Sequence, residues 1–192
     1  MVASAPRLIL ASASPRREEL LRQLGVPFTV VRSDLPEKLT EGSPVESLRA
    51  LALAKARAVA GRVETGVVLG ADTVVVLDGA IFGKPANPDD ARRMLRALRG
   101  RSHEVITGVA LVEAPARAET SRAVVTRVQM RQYGEDEIDA YVATGEPADK
   151  AGAYAIQGEG GKLVFRVDGC FTNVVGLPLR TTRRLLEAWG LL

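Results

Sequence analysis

The sequence predicts an α/β protein built on a mixed sheet, and three observations carry that expectation. Short apolar runs alternate with helically spaced segments that open on a capping residue and close on glycine. Asp78-Gly79 follows a β-branched run and is a hairpin signal. His103–Glu113 and Arg122–Arg131 read as two long strands joined by a turn around Pro115. Strand–helix units favour parallel pairing and hairpins require antiparallel pairing, so a sheet holding both is mixed. No GxGxxG follows a strand, so a dinucleotide-binding Rossmann fold is not expected.

Each element has a local reason. Arg7–Ala11 is a short buried strand. Pro15–Leu24 is a helix with Ser14 at the N-cap, Pro15 at the first helical position and Gly25 just past its end. Phe28–Val31 is a second short strand, and Ser43 caps a long helix from Pro44 to about Gly61. Val67–Leu77 is a strand that turns at Asp78-Gly79 and returns as Ala80–Gly83. Asn87 caps a helix whose first turn carries Asp89 and Asp90, suited to the positive end of its dipole, and Gly100 ends it. After the two long strands, Tyr133–Thr144 is a short acidic helix and Gly152–Gly161 a glycine-rich break. Leu163–Val167 is the last strand, and Gly176-Leu177-Pro178 starts a final helix that ends at Gly190.

Length and composition bound the function. The chain has 192 residues, 46% of them apolar, which suits one domain with a sizeable core. The net charge of +3 is spread without a block of like charges, so anionic small molecules fit as well as nucleic acid. One cysteine, Cys170, excludes an intrachain disulfide framework, and one histidine, His103, excludes a multi-histidine metal site. No apolar stretch is long enough for a membrane span and no signal-peptide pattern opens the chain, so the expected location is the cytoplasm, in soluble form. Cys170 reads as a small buried residue, His103 as structural or surface, and Trp189 as an anchor for the last helix.

Five stretches resist a purely structural explanation. The first is ASASPRR (Ala11–Arg17), where Arg16 and Arg17 sit at the end of a helix least hospitable to cations. Free N–H groups, the hydroxyls of Ser12 and Ser14 and two guanidinium groups make this an anion site, unless Glu18 and Glu19 merely neutralise surface arginines. The second is Asp72 in VVLGADTVVVL, a carboxylate in an apolar strand that must be paired, metal-bound or at an edge. On a regular strand Thr73 points away from it, and Gly70 allows a bulge or a close approach of another backbone. The third is Lys55, which falls on the apolar stripe Leu48, Leu51, Ala52, Val59 and either snorkels or reaches for an anion. The fourth is Lys84 in FGKP, which the hairpin returns toward the level of Asp72 or Thr73. The fifth is DKAGAYAIQGEGG (Asp149–Gly161), either a flexible surface loop or a segment whose glycines admit a ligand. Tyr154 and Gln157 are then its base-contacting candidates and Lys150 a further cation.

Together, in order along the chain, ASASPRR, Glu37, Lys55, GADT, GKP, DKAGAYAIQG and VVGLP resemble the Maf family of nucleoside triphosphate pyrophosphatases, from Leu8 to about Leu186. The resemblance implies a single Maf-like domain over residues 1–192, its mixed sheet in two lobes around a deep cleft as in inosine-triphosphate pyrophosphatase-like folds. It implies a cytoplasmic homodimer that cuts between the α and β phosphates with a divalent cation, Mg²⁺ or Mn²⁺. It implies catalytic positions at Asp72, Lys55, Lys84 and Glu37, with Asp72 the proton acceptor. Two carboxylates, Glu37 and Asp72, with phosphate oxygens and waters, suit such a metal. Arg16, Thr73 and Gln157 match the positions linked to base choice, and their identities resemble the dTTP/UTP subgroup. Ser12, Ser14, Arg17 and Lys150 complete the expected substrate contacts.

Competing readings are a pyrophosphatase for 7-methyl-GTP or damaged purine triphosphates, and a nucleic-acid-binding regulator of septation. The second would need a basic stripe and salt-sensitive binding. It is disfavoured because the informative cations lie beside carboxylates; neither nucleic acid nor membrane is expected as a partner.

Overall fold

A computed structural model of the chain describes residues 7–35, 42–115 and 118–192. The strands are β1 (Leu8–Ala11), β2 (Phe28–Val30), β3 (Gly66–Leu77), β4 (Ala80–Phe82), β5 (Ser102–Ala114), β6 (Glu119–Met130) and β7 (Val164–Asp168). The helices are α1 (Pro15–Arg22), α2 (Pro44–Ala60), α3 (Pro88–Leu98), α4 (Glu135–Ala143), α5 (Phe171–Val175) and α6 (Leu179–Ala188).

The sheet is mixed, as expected. Its order is β2-β1-β3-β5-β6-β7, with β4 on β3 outside that path. β1 runs parallel to β2 and β3, pairing Leu8 with Phe28 and with Val67. β3 and β4 form the antiparallel hairpin announced by Asp78-Gly79, with Val75 opposite Phe82. Both turn residues have positive φ, Asp78 at 50° and Gly79 at 80°, as a type I′ turn requires.

The three predicted helix caps work in different ways. Asn87 caps with its side chain: its Oδ1 accepts from the Asp90 N–H at 2.9 Å, and Asp90 accepts from the Ala86 N–H at 3.0 Å. Ser14 and Ser43 occupy extended N-cap positions without a side-chain capping bond. At both helices proline fills the first turn, where its missing N–H costs nothing. α1 ends at Arg22, two residues before the predicted boundary, and the chain turns through Gly25 at φ 73°.

The described residues divide into two compact units. The first takes the chain up to Asp72, then Thr107–Val124 and Gly176–Leu192; the second takes Thr73–Ile106 and Val125–Val175. β3, β5 and β6 each lend one part to each unit. The first unit buries large leucines, Leu10, Leu48, Leu69 and Leu111 among them, together with a cluster rich in small residues: Ile9, Ala11, Ala52, Ala56, Val59, Val68, Ala110 and Val112. The second unit's core includes Leu77, Phe82, Met94, Leu95, Leu98, Met130, Ile138, Tyr141 and Leu163. Small side chains let a helix lie close to a sheet, and that cluster governs the first unit's chemistry.

Two segments depart from expectation. The glycine-rich break is a chain of 3₁₀ turns, Glu146–Asp149, Ala151–Ala153 and Glu159–Leu163. α5 follows Gly169-Cys170; its five residues are too few to show a helical period in sequence. Asn173 fixes it by donating to Val105 O at 2.9 Å and Thr126 Oγ1 at 3.0 Å. Cys170 is half-buried, not buried as predicted: its backbone N–H and carbonyl both bond the hydroxyl of the buried Thr126, which anchors the backbone and leaves the thiol partly exposed.

Candidate active site

Asp72 lies near the middle of β3, on the same face as Gly70 two residues earlier. α2 packs onto that face at backbone contact. A Cβ on Gly70 would stand 2.3 Å from Ala52 O and 2.9 Å from Ala56 N. On β5, a Cβ on Gly108 would stand 2.1 Å from Leu48 O. Only glycine fits at either point, so two neighbouring strands admit one helix at successive turns. Gly70 was legible as a place of close approach; Gly108, inside an ordinary strand run, was not.

This seating brings Lys55 to Asp72. The Lys55 Nζ donates to Asp72 Oδ1 at 2.5 Å, and each side chain is only 6% exposed. The lysine on the apolar stripe does reach an anion, and that anion is the protein's own carboxylate. An isolated charge buried here would cost several kcal/mol, by rough estimate, and pairing removes most of that cost.

Arg17 completes the cluster from α1. Its Nε donates to Gly176 O at 2.9 Å, one amino group reaches Ser12 Oγ at 3.5 Å, and the other lies 4.0 Å from Asp72 Oδ1. The Ser12 hydroxyl accepts the Ser14 N–H at 3.1 Å, a local serine turn that shapes the chain entering α1. The VVGLP motif thus contributes a carbonyl that aims Arg17, a contact that nothing in its sequence announced. Arg16 and Ser14 are half-buried beside it at the helix start. Here the first unit unites Ser12, Arg17, Lys55 and Asp72: one carboxylate facing an ammonium, with a guanidinium at the limit of ion-pair distance.

The second unit holds the remaining described candidates. Thr73, half-buried, is its first residue. Lys84 is exposed, two residues beyond β4 and past the last paired residues of the hairpin, Val75 and Phe82. Lys150 pairs with Asp149. Gln157 is exposed in the turn between two 3₁₀ segments. Glu37 lies outside the described residues.

Tyr154 is a correction. It is buried, with its hydroxyl 2.8 Å from His103 Nε2, so it belongs to the core and not to a base-contacting surface. Burial holds the His103 imidazole down at about 4, which keeps it neutral. The same burial pushes the Tyr154 phenol up.

The glycines after Tyr154 also have a different cause from the one expected. A Cβ on Gly158 would stand 2.2 Å from Glu146 Oε2, and one on Gly160 would stand 2.4 Å from the Tyr141 hydroxyl. They make room for the protein's own carboxylate and phenol. Neither Glu146 nor Tyr141 was singled out by sequence, because a tyrosine inside an acidic helix and an acidic residue just beyond it carry no local signal.

Among the described residues no group of three His, Cys, Asp or Glu could hold a metal ion. Mg²⁺ at a triphosphate usually takes one or two carboxylates and completes its shell with phosphate oxygens and water. A single carboxylate at Asp72 fits that donor chemistry. Among the described residues no helix is long and apolar enough to cross a membrane.

The chain matches the family described as Maf-like protein over residues 7–189. It is 52% identical over 185 residues to the dTTP/UTP pyrophosphatase of Moorella thermoacetica, covering 96% of this chain and 95% of that protein. It is 53% identical over 190 residues to the dTTP/UTP pyrophosphatase of Anaeromyxobacter dehalogenans strain 2CP-C, covering 97% and 95%. With that of Dictyoglomus thermophilum it shares 49% over 185 residues, covering 95% and 96%. A solved nucleoside-triphosphatase / dITP/XTP pyrophosphatase from Mycobacterium abscessus is a more distant likeness: 19% identity and TM-score 0.42 over 66% of this chain and 75% of that one.

Proposed function

The chain belongs to the Maf family, and we propose that it hydrolyses dTTP and UTP to the nucleoside monophosphate and pyrophosphate. Near-full-length relatives at about half identity bear that activity in their names. The observation that carries the reading to this chain's own atoms is the buried Lys55–Asp72 contact with Arg17 beside it.

Phosphoanhydride hydrolysis needs a positioned water, a proton acceptor and cations where charge develops. Asp72 is the acceptor. While Lys55 donates to it, Oδ1 of the carboxylate is engaged and its charge is paired. A bound triphosphate gives Lys55 and Arg17 a competing polyanion. Each contact they transfer to phosphate frees a carboxylate oxygen of Asp72 to accept from water. The water oxygen then bonds to the α-phosphorus, its proton passes to Asp72, and the bond from the α-phosphorus to the bridging oxygen breaks as pyrophosphate leaves. A divalent cation, Mg²⁺ or Mn²⁺, held by Asp72 and Glu37 would neutralise phosphate charge when bound.

The remaining roles rest on motif position. Lys84 joins the catalytic set, Ser12, Ser14 and Lys150 bind substrate, and Arg16, Thr73 and Gln157 choose the base. Gln157 suits a uracil or thymine edge because an amide both donates and accepts. The chain acts as one Maf-like domain in a cytoplasmic homodimer; the family match over residues 7–189 supports the domain extent.

Pyrophosphate release across dTTP, UTP, 7-methyl-GTP, CTP and ITP tests this reading. Turnover is expected to be fastest on dTTP and UTP. Preference for 7-methyl-GTP or ITP would replace the substrate, and no turnover on any, with tight RNA binding, would overturn the activity.

A further inference from the structure

Gln157 sits in a loop whose two sides are held by one pair of side chains, Tyr141 and Glu146. Glu146 opens the first 3₁₀ turn and is only half-buried. Its Oε1 accepts from the Tyr141 hydroxyl at 2.8 Å and from the Gly160 N–H at 3.1 Å; its Oε2 accepts from the Glu159 N–H at 3.1 Å. The Tyr141 hydroxyl in turn accepts the Ala155 N–H at 3.0 Å. Ala155 lies two residues before Gln157, and Glu159 two residues after it. A phenol–carboxylate pair therefore ties the backbone on both sides of the glutamine.

The tie is tight and charge-assisted. The backbone passes so close to Glu146 and Tyr141 that a Cβ on Gly158 would displace the carboxylate, and one on Gly160 would meet both the phenol and the Ala155 backbone. Burial alone would raise the Glu146 carboxyl, but the Gly160 N–H, the Tyr141 hydroxyl, the Glu159 N–H and the Lys150 charge together hold it below the usual carboxylate range. It therefore stays ionised throughout the neutral range, and hydrogen bonds to an ionised acceptor are roughly twice as strong as neutral ones. An exposed glutamine on an untethered loop would sample many rotamers and backbone states, and each would dilute its discrimination between bases.

We propose that Glu146 is a positioning residue for base selection: through Tyr141 and the Ala155, Glu159 and Gly160 N–H groups, it fixes the loop that presents Gln157. This rests on the reading of Gln157 as a base-contacting residue. Glu146 does not touch substrate. Its effect belongs to KM and to the ratio between nucleotides, more than to the chemical step.

Three variants, Glu146→Gln, Tyr141→Phe and Gln157→Ala, test this against UTP and CTP, alongside amide hydrogen exchange. In Glu146→Gln, exchange at residues 155–160 should rise about tenfold or more while β3 and α2 stay protected, the signature of local opening. The UTP-over-CTP ratio of kcat/KM should fall about tenfold, toward that of Gln157→Ala, with KM rising more than kcat falls. Tyr141→Phe should lie between wild type and Glu146→Gln. Adding Glu146→Gln to Gln157→Ala should change the ratio no further, because both act through one side chain. Selectivity retained in Glu146→Gln but lost in Gln157→Ala overturns the proposal alone. Selectivity retained in Gln157→Ala overturns the Gln157 reading, and the route through it.

Discussion

Lys55 and Asp72 meet inside a frame of regular structure, whereas Glu146 holds a loop that has almost none. In the first unit, a 17-residue helix lies on two strands at backbone contact. The geometry of the charged pair follows from where those elements sit. In the second unit, the segment from Tyr154 to Gly161 is placed by side chains: His103 on the Tyr154 hydroxyl, then Tyr141 and Glu146 on the backbone beyond it. A reacting carboxylate belongs on a rigid element, since misplacement of about 1 Å can cost a hundredfold in rate. A loop held by a few hydrogen bonds can differ between relatives without disturbing that frame. The two regions should therefore fail differently when perturbed.

The largest difference should come from breaking the buried pair. Lys55→Met leaves Asp72 buried opposite an apolar group, and loss of one partner of a buried ion pair costs about 3–5 kcal/mol. Replacing both, as Lys55→Met with Asp72→Leu, should restore at least half of that stability while activity stays absent. Denaturant unfolding of the two singles and the double measures the coupling. Simple addition of the two losses would mean that the frame, not the contact, holds these side chains.

Acid should separate the regions by a smaller amount. The folded-state pKa of His103 is pulled down to about 4 by burial, below its ordinary value near 6.5. The unfolded chain therefore binds more protons between those values. The resulting stability is complete above about pH 6.5 and is lost as pH falls toward 4, about 3 kcal/mol in all. Unfolding free energy measured from pH 7 to 4 should show this slope, and His103→Gln should flatten it. Hydrogen exchange over the same range should loosen Tyr154–Gly161 before β3 and α2. Uniform loosening would erase the distinction drawn between the two regions.

The two regions also differ in how far they could be read from sequence. Lys55 stood out because a helical period assigned it to an apolar face, and Asp72 because it interrupted an apolar strand. Periodicity exposes such exceptions wherever structure is regular; with cap and turn signals, it also located each described strand and each described α-helix except the five-residue α5, though not the 3₁₀ turns. Gly70 was readable for the same reason. Gly108 was not, since a glycine among Thr107, Val109 and Ala110 in a strand has no local peculiarity. The Glu146 tie joins residues 5 to 14 positions apart through a phenol and three backbone N–H groups. No period or motif encodes that. Tyr154 misled because tyrosine beside a glycine-rich run suits a ligand platform as well as a core, and only the position of His103, 51 residues earlier, decides between them.

The central claim is that the Asp72 carboxylate, released by Lys55 when a triphosphate binds, takes the proton in hydrolysis. Asp72→Asn tests it most directly, because the amide keeps the shape and removes the base. The measurement is kcat/KM on UTP, corrected for the folded fraction under assay conditions. A general base typically contributes about a hundred- to ten-thousandfold, and the variant should lose that much or more while remaining folded. Activity within about tenfold of wild type in folded Asp72→Asn would be too small a loss for a general base and would contradict the account.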